Sequence, residues 1–281
     1  MEIYLAEESA YNFTPQVALE VAKDRIEQKK IQLVSGTLGK LFSRAKPEEV
    51  ELISVENRLE PFWQINAKLR TVYERNRTYA VSLNGPEIKH VTLLGQDLPV
   101  TIDPKRGANL TLSGVEHCEE ETQHAFTFDG SGKEIDISKF SHFPKTEVVD
   151  LENFAPEGVL VVPPKALAST VVRSVLSQVI KPVDADVILE ERVDMEELAL
   201  NFRPVYAFEY NWIPKEKHVV LEFDALTGDY DIHGEKMSGQ VKEILTADLI
   251  FDISEEAAGA LLPGGKVAVK VARAVYDHTK K

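Results

Sequence analysis

Apolar and polar residues alternate strictly from Phe62 to Leu69. Trp63, Ile65, Ala67 and Leu69 fall on one side, and Phe62, Gln64, Asn66 and Lys68 on the other. A period of two with one apolar side predicts a strand. Tyr73–Leu83 reads as the next strand and ends at the turn pair Asn84-Gly85. Val91–Leu94 and Leu98–Ile102 continue the β pattern, and Pro204–Tyr210 and His218–Asp224 repeat it later. Helical spacing governs other stretches. From Thr14-Pro15, an N-cap and a first-turn proline, Val17, Val21, Ile26 and Ile31 keep roughly one face, and Gly36 and Gly39 interrupt the run before Phe42. A second helix is predicted from Lys165, with Leu167, Val171, Val175 and Ile180 as its stripe. Near the carboxyl end the pattern predicts a strand at Asp248–Ile253 and a helix start capped by Ser254. After Pro263-Gly264-Gly265 it predicts a further helix over Lys266–Tyr276.

Two distant stretches align without a gap. Arg58–Leu69 lies on Asn201–Trp212, which places Pro61 on Pro204, Trp63 on Tyr206, Ile65 on Phe208 and Leu69 on Trp212. Each is preceded by a helix-type run, a Lys-Pro pair (Lys46-Pro47 and Lys181-Pro182) and an extended segment. Proline cannot continue a helix and drives its predecessor to extended geometry. Self-similarity of this kind implies one supersecondary unit per copy. The expected fold is therefore α+β, with two related helix-on-antiparallel-sheet units joined by a β-rich segment. The expected divisions are 1–102, a β-rich insertion or small subdomain at 103–162, and 163–281 with carboxyl-terminal helices.

Pro204–Tyr230 holds strand, strand, then Asp224-Ala225-Leu226-Thr227-Gly228. This resembles the end of a PepSY-type domain, where a strand closes on such a turn. The resemblance covers under a tenth of the chain. It implies a helix packed on a curved antiparallel sheet, as in cystatin-like folds, and no activity.

The 281 residues suffice for about two domains and an ample core. A net charge of −14 disfavours nucleic acid and anionic membranes, whose ligation needs Lys and Arg. One cysteine rules out an internal disulfide framework, and no apolar run approaches the roughly 20 residues that span a bilayer. The amino terminus lacks the pattern of a signal peptide, so a cytoplasmic setting is expected.

Candidate chemistry is sparse. Glu116–His124 gathers two histidines, a cysteine and four glutamates, but its spacing fits no zinc template and reads as a solvated strand. Ala260–Val267 matches only part of a phosphate-binding loop, lacking the first glycine and the hydroxyl. Cys118 lies among glutamates, which raise a thiol pKa, and no Gly-x-Ser-x-Gly elbow occurs. No catalytic, cofactor or metal residue is therefore assigned. The aromatic strand residues Trp63, Tyr206, Phe208, Tyr210 and Trp212 either fill the core or line a ligand cleft. Phe62 and Val205 lie on the opposite sheet face, where an apolar side chain asks for a covering element or partner. The expected function is a non-enzymatic one of binding another protein, with self-association left open. The alternative is a small-molecule binder or enzyme using an aromatic-lined concavity.

Overall fold

The computed structural model describes residues 1–35, 46–85, 87–103, 107–136, 140, 142–234, 246–253 and 270–273. Its frame is three long strands. β3 runs from Val50 to Leu83, β6 from Gly107 to Asp129 and β9 from Val187 to Trp212. β3 is central, antiparallel to β9 along one edge from Val50↔Trp212 to Glu74↔Val187, and to β6 along the other from Phe62↔Asp129 to Leu83↔Ala108. β10 (Lys217–Asp224) folds back on β9 through a 3-10 turn at Ile213–Lys215 and carries β11 (Tyr230–Gly234). On the far side, β5 (Gln96–Asp103) pairs with β6 and β4 (His90–Leu93) with β5.

The amino-terminal strands β1 (Glu2–Leu5) and β2 (Glu8–Phe13) lie parallel to β9, at Arg192–Asp194 and Leu198–Phe202. Three short strands complete the sheet. β7 (Lys145–Glu147) pairs with β2, β8 (Leu160–Val161) runs parallel to Arg58-Leu59 of β3, and β12 (Lys270–Arg273) runs parallel to β1.

Two helices cover one face of this sheet. α1 (Leu19–Ser35) contributes Ala22, Ile26, Leu33 and Val34 to a core with Tyr206, Phe208, Tyr210 and Trp212 of β9 and Val219, Leu221 and Phe223 of β10. α2 (Ala168–Val179) contributes Val171, Val172, Val175 and Leu176 to a core with Trp63 and Ile65 of β3, Phe126 and Phe128 of β6, and Leu198 and Leu200 of β9. The helix that precedes the β3–β6 hairpin thus sits on the β9–β10 hairpin, and the helix that precedes β9–β10 sits on β3–β6.

This corrects the expected fold. The chain is predominantly β, with 55% of residues in strands, and forms one large mixed sheet rather than an α+β pair of cystatin-like helix-on-sheet units. The reason is the unbroken β3–β9 ladder, which uses the edge where a separate unit would have ended. Pro61 and Pro204 do not begin strands either; both lie inside β3 and β9. A proline withholds a donor from its ladder. The carbonyl of Pro204 accepts from the Ala225 amide, and the Pro61 carbonyl faces Gly130. A residue's N–H and C=O leave a strand on the same side, so each missing donor points at a turn and spares the β3–β9 ladder. Asp248–Ile253 is likewise no strand. Ala247–Phe251 forms the short helix α3, capped by Thr246 Oγ1, which accepts from the Leu249 amide. Lys270–Arg273, expected in a helix, is strand β12. Ser254 to Gly265, with the partial phosphate-loop pattern up to Val267, lies outside the described residues.

Candidate functional site

Aligning Pro61 with Pro204 aligns Glu60 with Arg203, and these two residues face each other across the β3–β9 ladder. The same set of neighbours recurs on either side of that pair. β6 ends at Asp129 opposite Phe62, and β10 ends at Asp224 opposite Val205, which is the residue aligned with Phe62.

Each strand then closes on an aspartate turn. Asp129 Oδ1 accepts from the amides of Ser131 and Lys133 and from Ser131 Oγ, at 2.9, 3.1 and 2.6 Å. Asp224 Oδ1 accepts from the amides of Leu226 and Thr227 at 2.8 and 3.1 Å. Each aspartate's own carbonyl accepts from a glycine held at positive φ, Gly132 at +88° and Gly228 at +78°, a conformation only glycine adopts freely. The turns are also anchored alike. The Gly130 carbonyl accepts from the amides of Lys165 and Ala166 just before α2, and the Ala225 carbonyl accepts from those of Gln16 and Val17 just before α1. Gly130 meets β3 so closely that a Cβ would lie 2.8 Å from Pro61 Cγ and 3.1 Å from its carbonyl oxygen.

Between the two turns, on the sheet face opposite the helices, lies a cleft of about 740 Å³. Its floor is apolar around one ion-pair cluster: Phe62 and Val205 flank Glu60 and Arg203, with Phe140 and Val162 beside them. Arg203 donates to Glu60 at 2.9 Å and to Asp224 at 3.0 Å. Burial opposes its charge, but the Glu60 and Asp224 carboxylates outweigh that and raise its pKa. Beneath the floor, Arg58 is 1% exposed and pairs with Glu56, Glu60 and Glu222 at 2.8, 3.6 and 3.0 Å. The walls are acidic. Asp129, Asp136, Asp229 and Asp231 join Glu60, Glu222 and Asp224, whereas Arg203 and Lys165 are the cations that line the cleft. Burial alone would raise the Asp129 carboxyl, but its hydrogen bonds from Ser131 and Lys133 prevail and hold it below the usual carboxylate range.

Of the seven residues singled out from the sequence, Phe62 and Val205 reach this cleft. The other five point to the helix-covered side. Trp63 is fully buried, donates from Nε1 to the Ala166 carbonyl at 2.8 Å, and meets Phe251 edge-on. Tyr206 donates to the Val17 carbonyl and Tyr210 to Glu27, each at 3.0 Å. Burial raises both phenols, joined for Tyr210 by the Glu27 carboxylate. Phe208 is fully buried, and Trp212 Nε1 is buried with no hydrogen-bond partner among the described residues.

The cleft's acidic residues are not among those seven, although the sequence carries a signal for them. Phe128–Ile137 and Phe223–Ile232 align without a gap, sharing Phe, Asp, a later Asp and Ile. Those aspartates are Asp129 and Asp136 in one stretch, Asp224 and Asp231 in the other. The Glu116–His124 run lies on β6, and no group of three metal-ligating side chains occurs among the described residues. None of the described helices is long and apolar enough to cross a membrane. No model of a known family, no curated protein and no solved structure matches this chain.

Proposed function

We propose that this chain is a non-enzymatic binding protein that holds a segment of another protein in the cleft between its two aspartate turns. One observation carries the reading: a cleft of about 740 Å³ whose walls are fixed by backbone hydrogen bonds on both sides of a rigid ladder. That volume is ordinary for a ligand site, about 300–1,000 Å³, and a preformed wall lowers the ordering cost of binding. The cleft lining contains neither histidine nor cysteine, so the usual nucleophile and base pairing has no members there. The PepSY-type likeness of Pro204–Tyr230 fits this reading, because its closing turn is one wall.

Ser131 is exposed at the mouth, so Ser131→Trp should obstruct the cleft without entering the core. In a pull-down from source cells, the unaltered chain should retain a protein that Ser131→Trp, still folded by circular dichroism, releases. Equal recovery with both, or no partner with either, counts against the reading.

A further inference from the structure

The chemistry of the occupant follows from the lining, granted the cleft-binding reading above. We infer that the cleft takes an extended polypeptide segment in which lysine or arginine side chains flank an apolar one. Two features of the lining bear on this. The floor offers Phe62, Val205, Phe140 and Val162 to an aliphatic or aromatic side chain. Around it the carboxylates are spread over both turns and the strands that follow them, with Asp136 on one side and Asp231 on the other, both exposed.

Carboxylates converging on one point would suit a metal ion, but no group of three metal-ligating side chains occurs among the described residues. Spread carboxylates suit several cations held apart on one backbone. Arg203 does not reverse the sign, because Glu60 and Asp224 both contact its guanidinium. Lys165 is the other cation of the lining, against seven acidic side chains. The whole chain's charge of −14 acts in the same direction, speeding the approach of a basic ligand and repelling an acidic one.

Fluorescence anisotropy with short labelled peptides tests the inference on the full chain. One peptide alternates arginine with leucine, a second replaces arginine by glutamate, and a third replaces it by serine. The arginine peptide should bind best and weaken steeply as salt rises. Asp136→Asn with Asp231→Asn should weaken it about tenfold, as expected when two exposed ion pairs with the ligand are removed. Ser131→Trp should abolish the signal.

If the serine or glutamate peptide binds as well, and Ser131→Trp still abolishes binding, the cleft binds peptides but the basic class is wrong. If the arginine peptide binds equally to all variants, it binds elsewhere and the inference fails. Displacement by equimolar spermidine would assign the site to a small polyamine instead and overturn the polypeptide. Binding of none of the three peptides, with the pull-down partner still released by Ser131→Trp, would overturn the basic class alone.

Discussion

Replacing Trp63 by phenylalanine separates a hydrogen bond from the hydrophobic burial around it. The indole is fully buried, and its Nε1 donates at 2.8 Å to the Ala166 carbonyl, at the turn that leads into α2. Phenylalanine keeps most of the ring but strips that carbonyl of the indole donor. A buried acceptor left unsatisfied costs about 1–3 kcal/mol. The smaller ring adds about 1 kcal/mol through looser packing, so Trp63→Phe should cost about 2–4 kcal/mol. Trp212 supplies the control. It is almost as buried, at 6% exposure, yet its Nε1 has no partner among the described residues. Trp212→Phe loosens the packing equally but removes a donor that burial had stranded, and the two effects nearly cancel. Urea unfolding should therefore place the two variants about 2 kcal/mol apart, read from the midpoints at unchanged slope. Both alanine variants should fall by about 3–5 kcal/mol. If Trp212→Phe is as destabilising as Trp63→Phe, the bond to Ala166 does not hold α2 to the sheet as argued.

Arg58 is buried among Glu56, Glu60 and Glu222, so Arg58→Met should cost about 3–5 kcal/mol by leaving that acidic group uncompensated; a melting temperature within a degree of the parent would refute this. The Asp129 carboxyl is held below its ordinary value of 3.8. Its depressed pKa gives stability that is complete above that value and lost as pH falls through the folded-state pKa. Asp129→Asn should therefore be less stable than the parent at pH 7, with the gap narrowing only under acid; a gap that stays constant down to pH 2 would contradict the assignment. Tyr73 is pushed up to about 12 by its hydrogen bond to Glu120, then by burial and the same carboxylate. A raised phenol stabilises fully below about pH 10 and loses this as pH approaches 12. Tyr73→Phe should remove that late-ionising phenol from an absorbance titration, and an unchanged titration would count against it.

Much of the site is written in local pattern, and most of the fold is not. Alternation over Phe62–Leu69 places those residues in a strand, and the likeness of Arg58–Leu69 to Asn201–Trp212 picks out the two strands that meet at the cleft floor. Composition cannot say that they pair with each other, because antiparallel partnership between remote segments leaves no trace in either alone. Val50–Glu60 reads only as an approach to a strand, yet it is continuous with β3. β1 and β2 escape the pattern because short parallel strands on a central edge carry too few residues for a period to emerge. The short α3 resembles a strand in sequence, since five residues rich in Leu, Ile and Phe suit either state. Asp136 and Asp231 have no apolar periodicity to mark them, and only the matching Asp-Ile pairs of two aligned stretches set them apart from the chain's many other acids.

The exchange of helices between hairpins bears on how the chain acquires its structure during synthesis. α1 leaves the ribosome early, but the surface it covers, around Phe208 and Leu221, is made only when most of the chain has emerged. The ladder that joins Val50 to Trp212 has the same delay. Contacts so remote in sequence require a large loop-closure entropy before any packing is gained, and chains built on them fold slowly. Until β9 arrives, Val50–Glu74 of β3 lacks the partner it keeps along that edge, a long and β-prone surface open to wrong pairing. The nascent protein therefore depends on protection of that edge by a chaperone, or on fast completion of translation, more than its finished stability would suggest.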